Sequence, residues 1–414
     1  MKSAPFLKAS LSAMIALGLA AASTSVWSQQ YPAPATPIPL PQNDDFYASP
    51  EQNTLSRVLP GTILRYREIT AKSYYLFPVS GKAWQLMYRS TDSKGQPSAS
   101  ITTVLIPDNA PSAQRQLLSY QIAYDGLSLK CAPSHEMVKG AVLEQALISP
   151  ALKKGWVVVT PDYEGLQSQW TAGKNSGQAV LDGIRAVEQF APAGLSGAAT
   201  PVAMMGYSGG SLASTWANEL HPSYAPELNI KGVAVGGVPV DMGNVARKVD
   251  GKLFAGLYFG AVVGLSRAYD EVDVATLAND AGKAMFAEVG EMCAGQFLAG
   301  TPDPILKFAY KKMSSYTSVP NLLDVPVVKN IIAENRLGQR TPRAPMYIYE
   351  GTLDEFMPIA DVDNLVKNYC SKGVKVQYNR VFSDHILLAV TGAAKAMAYL
   401  TDRLANKPAP STCQ

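Results

Sequence analysis

The stretch Val202-Ala203-Met204-Met205-Gly206-Tyr207-Ser208-Gly209-Gly210-Ser211-Leu212 decides the fold. A short apolar run ends in a serine with glycines at 206 and 210, and a helical pattern then continues to about His221. This is G-x-S-x-G, the pattern of a nucleophile elbow, in which a strand turns into a helix at one residue. So tight a turn strains the backbone of the serine and leaves no room for side chains two places away. It also lifts the Ser208 hydroxyl clear of the sheet and aims the helix N-terminus at negative charge formed there. Gly194-Leu195-Ser196-Gly197-Ala198 falls short of the pattern, with alanine for the second glycine and no apolar strand before it. Taken alone, the motif also fits a glycine-rich turn with an ordinary serine, so its surroundings have to decide.

Outward from the elbow the chain alternates between strand and helix. Upstream, 116–120 and the β-branched run at 156–160 read as buried strands, with helices over 141–154 and 177–190. Downstream, 232–238 reads as the next strand. Alternation from 116 to 240 implies βαβ units and a parallel sheet covered by helices on both faces. Strands at 62–69, 84–90 and 99–106, the last two joined by the turn Ser93-Lys94-Gly95-Gln96-Pro97, give an antiparallel start. The rhythm stops near Asp241 and resumes with a strand at 346–350, a helix at 359–369, a strand at 374–381 and a last helix at 386–404. The expected organisation is one α/β domain in two parts, 45–241 and 327–414, with a helical cap inserted at 242–326. Within the cap, 253–265 carries no charge and reads either as the wall of an acyl pocket or as a buried helix.

The composition fits an exported globular protein. With 414 residues, 47% apolar and 17% charged, the chain is neither disordered nor a coiled coil. Its net charge of +3 falls closer to neutrality without Lys2 and Lys8, which gives no reason to expect a nucleic-acid partner. Residues 1–28 have the form of a secretory signal peptide: Lys2 and Lys8, a small-residue apolar stretch over 9–22, and cleavage after Ser28 in preference to Ala22. The segment 29–44 is an extended proline-rich lead, read as a spacer. Cys131, Cys293, Cys370 and Cys413 fit an oxidising compartment and allow three pairings. With three histidines in the whole chain no metal site is expected, and no cofactor is implied.

An activated serine needs a base, and histidine suits that role near neutrality. His135, placed in a loop after Cys131, is followed by glutamate like a zincin motif, but Lys139 stands where the second histidine belongs. His221 ends the elbow helix, far from Ser208. His385 follows the 374–381 strand through Phe382-Ser383-Asp384, at a carboxyl end where such sheets bind ligands, and is the expected base. Asp354, directly after the 346–350 strand, is the expected acid, with Asp241 and Glu355 as rivals. The order Ser208, Asp354, His385 is that of α/β-hydrolases. The oxyanion would be held by the amide of Gly209 and by one from the loop 121–126, among whose amides the residues alone do not choose.

From about Pro60 to Cys413 the chain resembles the secretory lipase family, the lipases like Candida antarctica lipase A. The resemblance rests on Tyr120-Gln121-Ile122-Ala123-Tyr124-Asp125, Val159-Thr160-Pro161-Asp162-Tyr163-Glu164-Gly165, Leu181-Asp182-Gly183-Ile184-Arg185-Ala186, Gly206-Tyr207-Ser208-Gly209-Gly210, Tyr224-Ala225-Pro226-Glu227-Leu228 and Pro408-Ala409-Pro410-Ser411-Thr412-Cys413. It implies an α/β-hydrolase fold with a triad of Ser208, Asp354 and His385, an oxyanion hole at Asp125 and Gly209, and disulfides Cys131–Cys293 and Cys370–Cys413. It also implies a helical cap over an acyl tunnel and hydrolysis of carboxylic esters. The expected protein is a secreted or periplasmic, monomeric serine esterase or lipase without cofactor, acting on small or lipid esters and touching lipid interfaces transiently. The alternative keeps the chemistry but acts on acylated polysaccharide or polyester.

Overall fold

The structure, a computed structural model, describes residues 1, 28–108, 115–142, 144–294 and 304–414. The leader, Met1 and Ser28 apart, lies outside the described residues, as do Leu143 of the helix expected at 141–154 and residues 295–303 of the expected cap.

Twelve strands follow in order: β1 (Gln29–Gln30), β2 (Ile63–Ile69), β3 (Lys72–Ser73), β4 (Phe77–Pro78), β5 (Lys82–Thr91), β6 (Pro97–Ile106), β7 (Leu117–Gln121), β8 (Val157–Pro161), β9 (Val202–Tyr207), β10 (Ile230–Gly236), β11 (Met346–Gly351) and β12 (Val376–Val381). Ten of them form one sheet in the order β1-β2-β5-β6-β8-β7-β9-β10-β11-β12, and β3 pairs separately with β4. The expected antiparallel start is present: β2 with β5, β5 with β6 and β6 with β8 run antiparallel, and every pairing from β8 to β12 is parallel. β7, β8, β9 and β11 are buried along their whole length, as strands covered on both faces must be. Helices Gly173–Gln189, Gly209–Tyr224, Ile359–Ser371 and Ala393–Leu404 supply the cover.

Register explains where a site can form. Gln121 pairs with Gly206, Tyr207 with Gly236, Gly236 with Tyr349, and Gly351 with Val381. The carboxyl ends of β7, β9, β10, β11 and β12 therefore make one rim, and the loops leaving them open on the same side.

Four expectations are corrected. The lead is not a free spacer: Gln29 and Gln30 pair in parallel with Arg65 and Tyr66, Asp44 forms an ion pair with Arg67 at 2.7 Å, and Pro41 is buried. His135 lies not in a loop but on the helix Pro133–Lys139, which the ring of Pro133 starts by fixing φ at its first position. The last helix is two, His385–Thr391 and Ala393–Leu404, parted at Gly392, where the ring of Tyr349 leaves no room for a side chain. The helix expected at 141–154 is shorter, Gln145–Lys153.

Between β10 and β11 the described residues form the helices Met242–Val249, Gly256–Ala268, Val274–Leu277, Asp280–Val289 and Pro326–Glu334 and short 3₁₀ turns. They gather an apolar core of their own around Phe259, Val263, Phe286, Val289 and Phe308, separate from the core of the sheet. The Cys131–Cys293 bridge, Cα atoms 5.4 Å apart across 162 residues of sequence, ties this block to the loop after β7. Beside it Leu127 N–H donates to Met292 O at 2.8 Å and Ala294 N–H to Asp125 O at 3.1 Å. A Cys131→Ala/Cys293→Ala double variant is expected to lose about 2–5 kcal/mol of stability. Thermal unfolding beside the wild type measures this, and an unchanged Tm would contradict it.

Candidate active site

Every part of the elbow follows from its sequence. β9 delivers Ser208 to the rim with φ +51° and ψ −122°, a conformation that side chains other than glycine's seldom adopt. Its N–H donates to Gly236 O at 3.0 Å, which fastens the strained residue to β10. A methyl at Gly206 would stand 2.2 Å from Gly210 O, and one at Gly210 would stand 1.9 Å from Gln121 O. Both flanking glycines are required by backbone carbonyls, which cannot move aside as a flexible side chain could. Ser208 and Gly209 are half-buried at the start of the helix Gly209–Tyr224.

Asp354 and His385 meet. His385 Nδ1 lies 2.5 Å from Asp354 Oδ2, and both side chains are buried. Asp354 Oδ1 is held by the N–H groups of Phe356 at 2.8 Å and Met357 at 2.6 Å, so the loop after β11 orients the carboxylate before any substrate arrives. Burial works to raise the pKa of Asp354, but the hydrogen bond and charge of His385 and the Met357 amide prevail and hold it below the ordinary carboxylate value. Nearby on β11, Glu350 is buried with Oε2 accepting from Val238 N–H at 3.0 Å; burial first, then the Asp354 charge, push its pKa well up.

His385 packs against the last residue of β9, the neighbour of Ser208 in sequence. Tyr207 packs its ring 4.9 Å from the imidazole and donates its hydroxyl to His385 O at 2.7 Å, with Phe356 on another side at 4.6 Å. Among the described residues the Ser208 hydroxyl makes no hydrogen bond to the ring, a contact that commonly tightens only with substrate bound. The rivals are otherwise engaged. Asp241 caps the helix Met242–Val249, and Glu355 accepts from the main-chain N–H of His385 rather than from its ring. His221 Nε2 is bonded to Leu228 O, and His135 Nδ1 to Lys130 O.

Asp125 faces the elbow from the loop after β7, in a left-handed conformation with φ +38°. Its carboxylate accepts from the indole N–H of Trp170 at 2.9 Å, and Oδ1 lies where a methyl on Gly209 would come within 2.0 Å. Trp170 escapes a sequence reading because no motif marks it; its partner Asp125 lies 45 residues upstream. Tyr207 occupies the variable position of the elbow motif, so nothing in the pattern signals its bond to His385 either. The cysteine pairs are Cys131–Cys293 and Cys370–Cys413.

A family model described as secretory lipase matches residues 136–412. The chain belongs to the secretory lipase family. It is 37% identical over 396 residues to Lipase A of Arthroderma benhamiae, covering 89% of this chain and 80% of that one. It is 36% identical over 382 residues to a probable inactive lipase of Mycobacterium tuberculosis, covering 89% and 83%. In structure it matches Candida antarctica lipase A with a TM-score of 0.82 at 28% identity, over 91% of this chain and 89% of that one. As a secretory lipase it is a carboxylic ester hydrolase of α/β-hydrolase fold. That one relative carries the word inactive in its name makes the residues at the elbow, and not membership alone, the ground for arguing catalysis. No helix among the described residues is long and apolar enough to cross a membrane.

Proposed function

We propose that this secretory lipase is an exported serine esterase of the lipase type, working through Ser208, His385 and Asp354. The observation that supports the reading is the short, buried Asp354–His385 pair, bonded to Tyr207, which precedes the strained Ser208 in the chain. His385 takes the hydroxyl proton as Ser208 attacks the ester carbonyl, while Asp354 holds the ring and stabilises its charged form. The amides of Asp125 and Gly209 stabilise the tetrahedral oxyanion. His385 returns the proton to the leaving alcohol, and water then repeats the sequence on the acyl-enzyme to release the acid. Export would follow removal of residues 1–28.

The helical block at 242–326 serves as the cap in this reading. Together with the helix Pro326–Glu334 it lines a small apolar pocket walled by Tyr258, Ala261, Val262, Leu265, Leu322 and Ile331. A wall of this kind favours fatty acyl chains over the acetyl groups of a polysaccharide. Around His385 the side chains of Leu353, Phe382, Leu387 and Val390 are each more than half exposed, an apolar patch suited to transient contact of a monomer with a lipid surface. The test is a p-nitrophenyl ester series of increasing chain length, set beside tributyrin, triolein and acetylated xylan. Preference for C4 and longer acyl esters is expected, with Ser208 labelled by a fluorophosphonate. Faster release of acetate from xylan would replace the lipid reading with the polysaccharide one.

A further inference from the structure

The loop Gln121–Gly126 is irregular, yet it has to hold one peptide in a fixed place over the elbow. Two carboxylates that the acyl-transfer steps do not use are turned towards it. Glu144 accepts from Ala123 N–H at 2.8 Å through Oε1 and from the Tyr120 hydroxyl at 2.7 Å through Oε2. Glu164, fully buried at the end of β8, accepts from Gly126 N–H through Oε2 at 3.4 Å. Its own N–H donates to the Tyr124 hydroxyl at 2.9 Å, and the neighbouring Tyr163 hydroxyl donates to Ile122 O at 2.8 Å. The residues on both sides of Asp125 are thus bonded to one glutamate, and Asp125 between them has the left-handed φ of +38°.

We propose that Glu164 is a positioning residue of the oxyanion hole: by gripping Tyr124 and Gly126 it fixes the strained Asp125 peptide against Gly209. This rests on the reading that Asp125 and Gly209 hold the oxyanion. Strain at a non-glycine residue persists only where its surroundings over-determine it, and the Glu164 clamp is that determinant. The chemistry of the side chain fits. Burial, and then the charge of Asp125, push the pKa of Glu164 well above its ordinary value. Asp162 adds to that push, and the Arg267 guanidinium, bonded to Leu127 O, is the cation within its field. A single side-chain oxygen accepts from Gly126 N–H, and a glutamine keeps an oxygen for that bond. Oε1 has no hydrogen-bond partner among the described residues, so an amide nitrogen there meets no bond it would break.

The test compares Glu164→Ala and Glu164→Gln on a p-nitrophenyl ester, with active sites counted by fluorophosphonate titration. Because a small misplacement in a preorganised site costs up to about 10²-fold, Glu164→Ala is expected to lower kcat per titrated site by about 10- to 100-fold. KM should stay within about twofold and Glu164→Gln should return kcat to within about threefold of wild type, since binding and side-chain shape are kept. A full kcat in Glu164→Ala, a loss equal in both variants, or a loss explained by KM or by fewer titratable sites overturns the proposal. Should Glu164→Ala fail to fold, Tyr124→Phe removes the other half of the clamp; it is expected to lower kcat at constant KM, and an unchanged kcat overturns the proposal. A wild type that does not react with the fluorophosphonate would instead remove the reading of Ser208, and this inference with it.

Discussion

Ser208→Ala is expected to leave a folded protein whose kcat on any carboxylic ester is lower by about 10⁶-fold, the scale seen when the nucleophile of a triad is removed. The residue is half-buried, and its fold-supporting bond is made by its main-chain N–H to Gly236 O, which alanine keeps. Alanine bears the same left-handed strain as serine, so the Tm should hardly move. No neighbouring hydroxyl can take over. Ser211 and Ser214 are fully buried on the elbow helix, with Ser211 Oγ donating to Ser208 O at 2.6 Å and Ser214 Oγ to Gly210 O at 2.9 Å. Steady-state rates on p-nitrophenyl butyrate and loss of fluorophosphonate labelling are the two readouts. Retention of most of the activity by the variant would place the chemistry elsewhere in the molecule.

Much of this arrangement is legible in the sequence because the constraints act over a few residues. A strand-to-helix turn at one serine demands small residues two places away, and Gly206 and Gly210 announce it. Strands buried on both faces read as apolar runs, which is why β8 and β9 stand out, and Asp354 and His385 follow the ends of β11 and β12. Where tertiary contacts do the work, the pattern is silent. Gln29-Gln30 has no strand signal and joins the sheet because the edge of β2 offers unpaired peptide groups. Glu144, Glu164 and Trp170 reach back 21, 38 and 45 residues to Ala123, Gly126 and Asp125, so no local spacing marks them as partners of the loop after β7.

The same contrast separates the two acids beside His385. Glu355 is adjacent to Asp354 in sequence, and its Oε2 accepts from His385 N–H at 2.8 Å. That bond supports the loop, whereas Asp354 alone reaches the ring nitrogen. Chain order cannot tell two neighbours apart; side-chain direction can.

Asp354→Asn is therefore expected to lower kcat by about 10⁴-fold, or about 5.5 kcal/mol of activation free energy, while leaving KM and the fold nearly intact. The amide is the same size and can still accept from Phe356 and Met357 through its oxygen. Its NH₂ would then face His385 Nδ1, forcing that nitrogen to accept and placing the ring proton on Nε2, where it blocks general-base action. Glu350 cannot substitute, because it is buried with Oε2 committed to Val238 N–H. Glu355→Gln, which keeps an oxygen for His385 N–H, is expected to cost far less; an equal loss in both variants would contradict the assignment. The pH dependence has a definite sign. Because the folded-state pKa of Asp354 is depressed, the stability contributed by its pairing is present above the unfolded carboxylate pKa and is lost as pH falls through the lower folded value. Thermal unfolding between neutral and strongly acid pH should show the wild type losing stability in that range, and Asp354→Asn lacking that part of the decline.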